Sequence, residues 1–221
     1  MKLVIFDVDG TLVDSQHMIC AAMHRAYDDH SLPRPERERV LSIVGLSLPD
    51  AFTTLASGAA HPIESLVRSY SEAFSALRAS SPVESLYPGA RETVLALAAR
   101  PDVVLGIATG KSTRGVDRVL GAHGLLDRFV TIQTSDTAPS KPDPGMVLNA
   151  LRDSAVDPAS AVLIGDSIYD MQMAKAANVT AVGVGWGYNP PDALRAAGAD
   201  LIVDDYAALM PMLDTLWAVD A

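Results

Sequence analysis

Cysteine is almost absent from this 221-residue chain: Cys20 stands alone. No intrachain disulfide framework is available, and a reducing compartment is the expected setting. Cys20 itself reads as an inert helix residue. Long apolar runs are missing too; none approaches the roughly 18 residues a membrane span needs. After Lys2 come four apolar residues and then Asp7. That is not the layout of a secretory leader, so a cytoplasmic location is expected. Basic residues are scarce: 17 Lys and Arg against 27 Asp and Glu leave a net charge of −10 and a pI near 4.8. Nucleic acid and anionic membranes are thereby disfavoured as partners, although a small anion can still be held in a locally positive site. Histidine offers no zinc site, because His17, His24, His30, His61 and His123 are scattered. Internal repeats and low-complexity tracts are also lacking. What is plentiful is apolar material: 49% of the residues are hydrophobic, ample for a sizeable core in one or two domains.

The chain is organised around residues 2–12, KLVIFDVDGTL. Four consecutive apolar residues, Leu3 to Phe6, are too few for a helix face and read as a buried strand. Asp7, Val8 and Asp9 follow, and Gly10-Thr11 signals a turn. Ligands of open α/β sheets bind beyond the carboxyl ends of strands. Residues i and i+2 of a strand point the same way, so both acids can face one reacting centre. Asp7 reads as a nucleophile and Asp9 as its acid/base partner.

Helical periodicity takes over next. Met18, Ile19, Ala22, Met23, Ala26 and Tyr27 form one apolar stripe, with Asp14 or Ser15 as N-cap. Shorter helices are predicted over 36–44 and 49–56, around a Gly45-Leu46-Ser47-Leu48 turn. A longer one over 62–78 carries Ile63, Leu66, Val67, Tyr70, Phe74 and Leu77 on one face. Nothing from 15 to 81 alternates like a strand. Ser80-Ser81-Pro82 reads as the return linker. Strands are then predicted at 103–108, 129–133, 161–164, 180–184 and 201–203, with helices between and after them. The expected fold is an α/β, Rossmann-like doubly wound parallel sheet with an inserted all-helical domain.

Polar residues close several strands. Thr109-Gly110 follows 103–108 and can form a small anion nest. Lys141 stands between a turn and a helix, and Asp166 ends 161–164 with Asp170 four residues on. An isolated D-x-D, Thr-Gly or Lys-Pro pair means little; the combination at successive strand ends carries the weight. Two carboxylates about 4 Å apart repel by roughly 4 kcal/mol at an effective dielectric near 20. Asp7, Asp9, Asp166 and Asp170 in one crevice need more than the single charge of Lys141. With oxygen ligands only, Mg²⁺ is the natural cation.

Assembled in this way, the chain resembles haloacid dehalogenase (HAD) superfamily hydrolases with a helical cap inserted after the first strand. DVDGT at 7–11, ATG at 108–110, the lysine of SKPDP and GDSIYD at 165–170 match the four family motifs in order. The resemblance implies that Asp7 attacks phosphorus and forms an aspartyl phosphate, while Asp9 protonates the leaving oxygen and later activates water. It implies Mg²⁺ on the Asp7 carboxylate, the Asp9 backbone carbonyl and Asp166, with Asp170 supporting from behind. Thr109, Gly110 and Lys141 would hold the transferring phosphoryl oxygens.

Asp9 points to phosphate esters, since dehalogenating and phosphonate-cleaving relatives carry another residue there. The sequence is most similar to phosphoglycolate phosphatases, in its GLSL turn, YPG at 87–89 and KPDP at 141–144. Mutases of the β-phosphoglucomutase type usually carry a cap histidine and arginine where this chain has Ile19 and Leu48. Thr134-Ser135-Asp136 departs from the Gly-Asp-Asp-like run of many relatives. The implied domains are a core of 1–14 and 85–221 and a cap of 15–84, hinged near 14–15 and 82–86. The implied partner is a small phosphorylated metabolite, 2-phosphoglycolate first among them; the oligomeric state is left open. Arg37, Arg39 and Arg68 read as solvated surface, and Lys111 and Arg114 lie beside the second motif. The alternatives are a mutase, another HAD phosphatase or pyrophosphatase and, from a different class, a receiver-type phosphoacceptor domain.

Overall fold

The computed structural model describes residues 1–81 and 83–218. In chain order the strands are β1 (Lys2–Phe6), β2 (Val13–Asp14), β3 (Ser85–Leu86), β4 (Val103–Thr109), β5 (Thr131–Thr134), β6 (Ala161–Gly165), β7 (Thr180–Val184) and β8 (Leu201–Val203). The helices are α1 (Gln16–Asp29), α2 (Arg37–Leu41), α3 (Leu48–Ala56), α4 (Ile63–Ser80), α5 (Ala90–Ala98), α6 (Thr113–Ala122), α7 (Gly145–Ser154), α8 (Ile168–Ala176), α9 (Pro191–Ala196) and α10 (Tyr206–Ala218).

Six strands form one parallel sheet in the order β5-β4-β1-β6-β7-β8. β1 lies in its middle, and Leu3, Val4, Ile5 and Phe6 are wholly buried. Their alternation feeds two cores. Val4 and Phe6 pack with residues of α5, α6 and α10, such as Val94, Val116 and Leu213. Leu3 and Ile5 pack on the opposite face with Met146 and Val147 of α7 and Met171 of α8. Each such side chain contributes about 1.5–3 kcal/mol by leaving water, which is why this apolar run takes the sheet's centre. From β1 the chain extends the sheet on one side through β4 and β5, and on the other through β6, β7 and β8. The crevice beyond β1, β4 and β6 is therefore the topological switch point.

Helices α1 to α4 form a separate layer with its own core, built from the α1 stripe, Val40, Phe52, Leu66, Tyr70 and Phe74. Tyr27 stacks on Phe52 and Tyr70 on Phe74, while Phe52 meets Tyr70 edge-on, with ring centroids 5.7–6.1 Å apart. The two crossings into this layer were expected to be plain linkers. Instead β2 and β3 pair antiparallel, Val13 with Leu86 and Asp14 with Ser85. Two-residue strands are too short for alternation to show in a sequence. Pro82 of the expected linker lies outside the described residues. Among the described residues, no helix is long and apolar enough to cross a membrane.

Candidate active site

Asp7 continues β1 by one rung: its N–H donates to the Ile164 carbonyl at 2.9 Å. Its side chain is buried and meets Lys141, whose Nζ lies 3.0 Å from Oδ1. Lys141 also donates to Asp170 Oδ1 at 2.5 Å. Burial opposes the charge of Lys141, but Asp170 and Asp7 outweigh it and hold the ammonium above the ordinary lysine value.

Asp9 reaches the same crevice by a different route from the one its spacing suggests. The strand ends at Phe6, so Asp9 is not the strand's i+2 partner of Asp7. It sits in a turn that bridges to Val13 and is followed by Gly10 at φ +90°. Only glycine suits that position, because a Cβ there would lie 2.2 Å from Asp166 Oδ2. The Asp9 carboxylate takes both oxygens to Lys111 Nζ, at 2.8 and 3.0 Å, and accepts from Ser15 Oγ at 2.6 Å. Ser15 does stand at the N-cap of α1, yet its hydroxyl makes no capping bond. It serves Asp9 instead.

Asp166 leaves the end of β6 and accepts from Thr11 Oγ1 at 3.1 Å and from the Tyr188 N–H at 2.8 Å. Asp170 lies in the first turn of α8, where Ser167 and Asp170 form a reciprocal capping box. Its Oδ2 accepts from the Ser167 N–H and hydroxyl, and its Oδ1 from Lys141, so both oxygens are engaged. Thr109 ends β4 and is buried; its Oγ1 accepts from the Lys111 N–H at 3.3 Å. Gly110 lies against the helical layer. A Cβ there would fall 2.4 Å from the Gly45 carbonyl oxygen and 2.6 Å from that of Leu46.

Asp7, Asp166 and Asp170 each bring a buried carboxylate oxygen within 4.8 Å of the others. Burial first, and then the charge of Asp170, push Asp7 up to about 6 against the pull of Lys141. Burial, Asp7 and Asp170 push Asp166 well above the ordinary carboxylate range. Asp7 Oδ1 faces Lys141 at 3.0 Å but accepts no aligned hydrogen bond. Three crowded carboxylates against one ammonium fit a hard divalent cation, which all-oxygen donors prefer.

Asp7, Asp9, Thr109 and Gly110 line a cavity of about 640 Å³ between the sheet's end and the helical layer. The Gly45–Leu48 turn forms part of its wall, and the Ser47 N–H donates to Ser140 Oγ across it at 2.8 Å. Ile19, Met23, Val67 and Phe74 make another part of the wall apolar. Lys141, Asp166 and Asp170 lie behind this lining. Arg37, Arg39, Arg68 and Arg114 are not in it, whereas Lys111 and Arg78 are. Arg78 and Tyr188 were not expected at the site, and Tyr70 was expected only on the apolar face of its helix. Arg78 follows Tyr70 and Phe74 at four-residue spacing at the end of the apolar stripe of α4, where a charged residue reads as surface, and Tyr188 belongs to no motif. Thr11 was legible only as a turn residue of the first motif.

A family model described as haloacid dehalogenase-like hydrolase matches residues 4–184. The chain belongs to that family. It is 35% identical to a probable phosphatase, IndB, of Dickeya dadantii, over 94% of this chain and 91% of that protein. It is 33% identical to a phosphoglycolate phosphatase of Pseudomonas putida, over 95% of this chain and 79% of that protein. A hydrolase crystal structure from Pseudomonas syringae superposes with a TM-score of 0.86 at 28% identity, covering 97% of this chain and 99% of that one. With these relatives, the chain is a phosphoric monoester hydrolase. Its α/β sheet with inserted helices is the fold of HAD hydrolases, which sets the receiver-type alternative aside.

Proposed function

We propose that this chain is a Mg²⁺-dependent phosphatase of small phosphate monoesters, with 2-phosphoglycolate the first substrate to test. One observation carries the reading: Asp7 and Asp9 open onto a single cavity, while Asp7, Asp166 and Asp170 crowd three carboxylate oxygens within 4.8 Å. The Asp7 carboxylate and Asp166, with the Asp9 carbonyl, would hold Mg²⁺, and Asp170 supports through Lys141 and Ser167. When bound, the ion neutralises charge on the transferring phosphoryl group and on the acids around it.

The chain's own groups do the rest. Asp7 attacks phosphorus and becomes the phosphorylated residue; the bond from phosphorus to the leaving oxygen breaks. Asp9 gives that oxygen a proton and then takes one from the water that hydrolyses the aspartyl phosphate. Thr109, the Gly110 N–H and Lys141 hold the equatorial oxygens. Helices α1 to α4 act as a cap, hinged at the β2–β3 pair, that shuts water out during attack.

The substrate assignment is supported by relatives named phosphoglycolate phosphatase, including the one at 33% identity over 95% of this chain. A mutase is less well supported. Ile19 turns an apolar side chain into the cavity, so that position has no group to move a proton on a second sugar hydroxyl. The cavity, at about 640 Å³ and partly apolar, is roomier than a two-carbon acid requires, which favours a bulkier phosphorylated metabolite as second reading.

The test is phosphate release from a panel containing 2-phosphoglycolate, glucose 1-phosphate and pyrophosphate, with Mg²⁺ and with EDTA. Multiple turnovers lost in EDTA and restored by Mg²⁺ are expected. Formation of glucose 6-phosphate from β-glucose 1-phosphate would reinstate the mutase, and uptake of a single phosphoryl group without release would end the phosphatase reading.

A further inference from the structure

Two cations line the cavity, Lys111 and Arg78, and only one is committed. Lys111 is bound to both oxygens of Asp9. Arg78, in the last turn of α4, has a buried Nε with no hydrogen-bond partner among the described residues. Among the described residues it enters no ion pair. Its guanidinium lies 5.2 Å from the centre of the Phe74 ring, and Lys111 Nζ lies 5.4 Å from the same ring. Phe74 is four residues earlier on the same helix, so this contact fixes where the cation points. Tyr70, buried nearby, senses both ends of the arrangement. Burial and then Asp9 push its hydroxyl up, while Arg78 pulls the other way. The Arg78 carbonyl is tied to the sheet domain by Arg118 Nη2 at 3.2 Å.

The reacting phosphorus belongs beside Asp7, and Asp9 serves the leaving oxygen, so the alcohol portion of a substrate points toward Phe74 and its two cations. A buried guanidinium N–H without an acceptor is costly until an acceptor arrives. Its planar fork matches a carboxylate or a phosphate. We infer that Arg78 is a specificity-determining residue that receives a second anionic group, carboxylate or phosphate, on the alcohol portion of the substrate, with Lys111 at its side. This deepens the phosphatase reading and rests on it.

The test compares kcat/KM for an anionic ester with that for a neutral one, propyl phosphate, in the wild-type protein and in Arg78→Gln, Arg78→Lys and Arg78→Glu. The anionic esters are 2-phosphoglycolate and, in a separate arm, fructose 1,6-bisphosphate. Whichever preference Arg78→Gln erodes more names the source of the second anion. In Arg78→Gln the anionic-to-neutral ratio falls by about 10- to 100-fold, the worth of one charge-assisted hydrogen bond, chiefly through KM. Arg78→Lys restores part of the ratio, and Arg78→Glu shifts preference toward phosphoethanolamine, whose alcohol portion is cationic.

An unchanged ratio, or equal losses on anionic and neutral esters, overturns the inference. If the wild-type protein hydrolyses no ester at all, it is the phosphatase reading that has failed. Thermal protection by 2-phosphoglycolate then decides Arg78 alone: weaker protection in Arg78→Gln supports the anion site, and undiminished protection removes it.

Discussion

Lys111 reaches from the loop after β4 to set its Nζ 2.8 and 3.0 Å from the two carboxylate oxygens of Asp9. The same ammonium lies over the Phe74 ring of α4, so one side chain joins the proposed acid/base to the helical layer. Both members of the pair are largely withdrawn from solvent, with side-chain exposures of 8% and 12%, which keeps the contact from being a screened surface ion pair.

Lys111→Met is therefore expected to lower kcat/KM by about 10- to 100-fold, the range for a hydrogen bond to a charged group, with Lys111→Arg recovering part. Steady-state kinetics with Mg²⁺ measure this. Wild-type rates in Lys111→Met would leave the pair without a catalytic role.

Asp7→Asn keeps the shape of the side chain and removes its nucleophilicity. Turnover should fall by at least about a thousandfold, as expected for deletion of a nucleophile. Far-UV circular dichroism should match the wild type, because the Asp7 N–H bond to Ile164 that holds this rung of the sheet is retained. Residual turnover within tenfold of wild type would transfer the attack to another group.

Metal removal should act on stability with a definite sign. Burial raises Asp7 from 3.8 to about 6, and Asp166 moves in the same direction. A carboxyl raised in the folded state binds its proton more tightly there than in the unfolded chain. The metal-free fold thus keeps this contribution below 3.8 and loses it as pH rises toward about 6. A divalent cation bound to the ionised cluster offsets that loss. The Mg²⁺-induced rise in Tm should be small near pH 4 and grow as pH rises through about 6, measured by thermal denaturation with EDTA or Mg²⁺. A rise that is pH-independent, or larger in acid, would place the ion elsewhere.

Gly110→Ala should separate the two layers. Its methyl would lie 2.4 Å from the Gly45 carbonyl oxygen, which is backbone and has little room to yield. The Gly45–Leu48 turn must lift, and kcat/KM should fall by about tenfold or more while the sheet domain still folds. An unaffected kcat/KM, from steady-state assay beside a circular dichroism spectrum, would show that the turn need not sit there.

Much of this is legible in the sequence. Leu3 to Phe6 announced a buried strand, and the alternation after residue 103 announced a parallel sheet, because apolar spacing is a local property of the chain. The acids at 7, 9, 166 and 170 could be gathered by a general rule about strand ends. Finer relations were not legible. Ser15 has the composition of a helix cap, yet its hydroxyl turns to Asp9. β2 and β3 are paired by residues far apart in the chain, Val13 with Leu86 and Asp14 with Ser85.

Strand, helix and turn follow from residues within a few positions of one another, and the four motifs carried enough of that local order to announce an acidic, phosphate-directed site. The engagements around it did not. Lys111 over the Phe74 ring, the Ser47 N–H on Ser140 and Arg118 on the Arg78 carbonyl were set by packing the helical layer onto the sheet's end. Contacts across that seam depend on where two separately cored layers come to rest, and no spacing within the chain encodes the side chains that meet there.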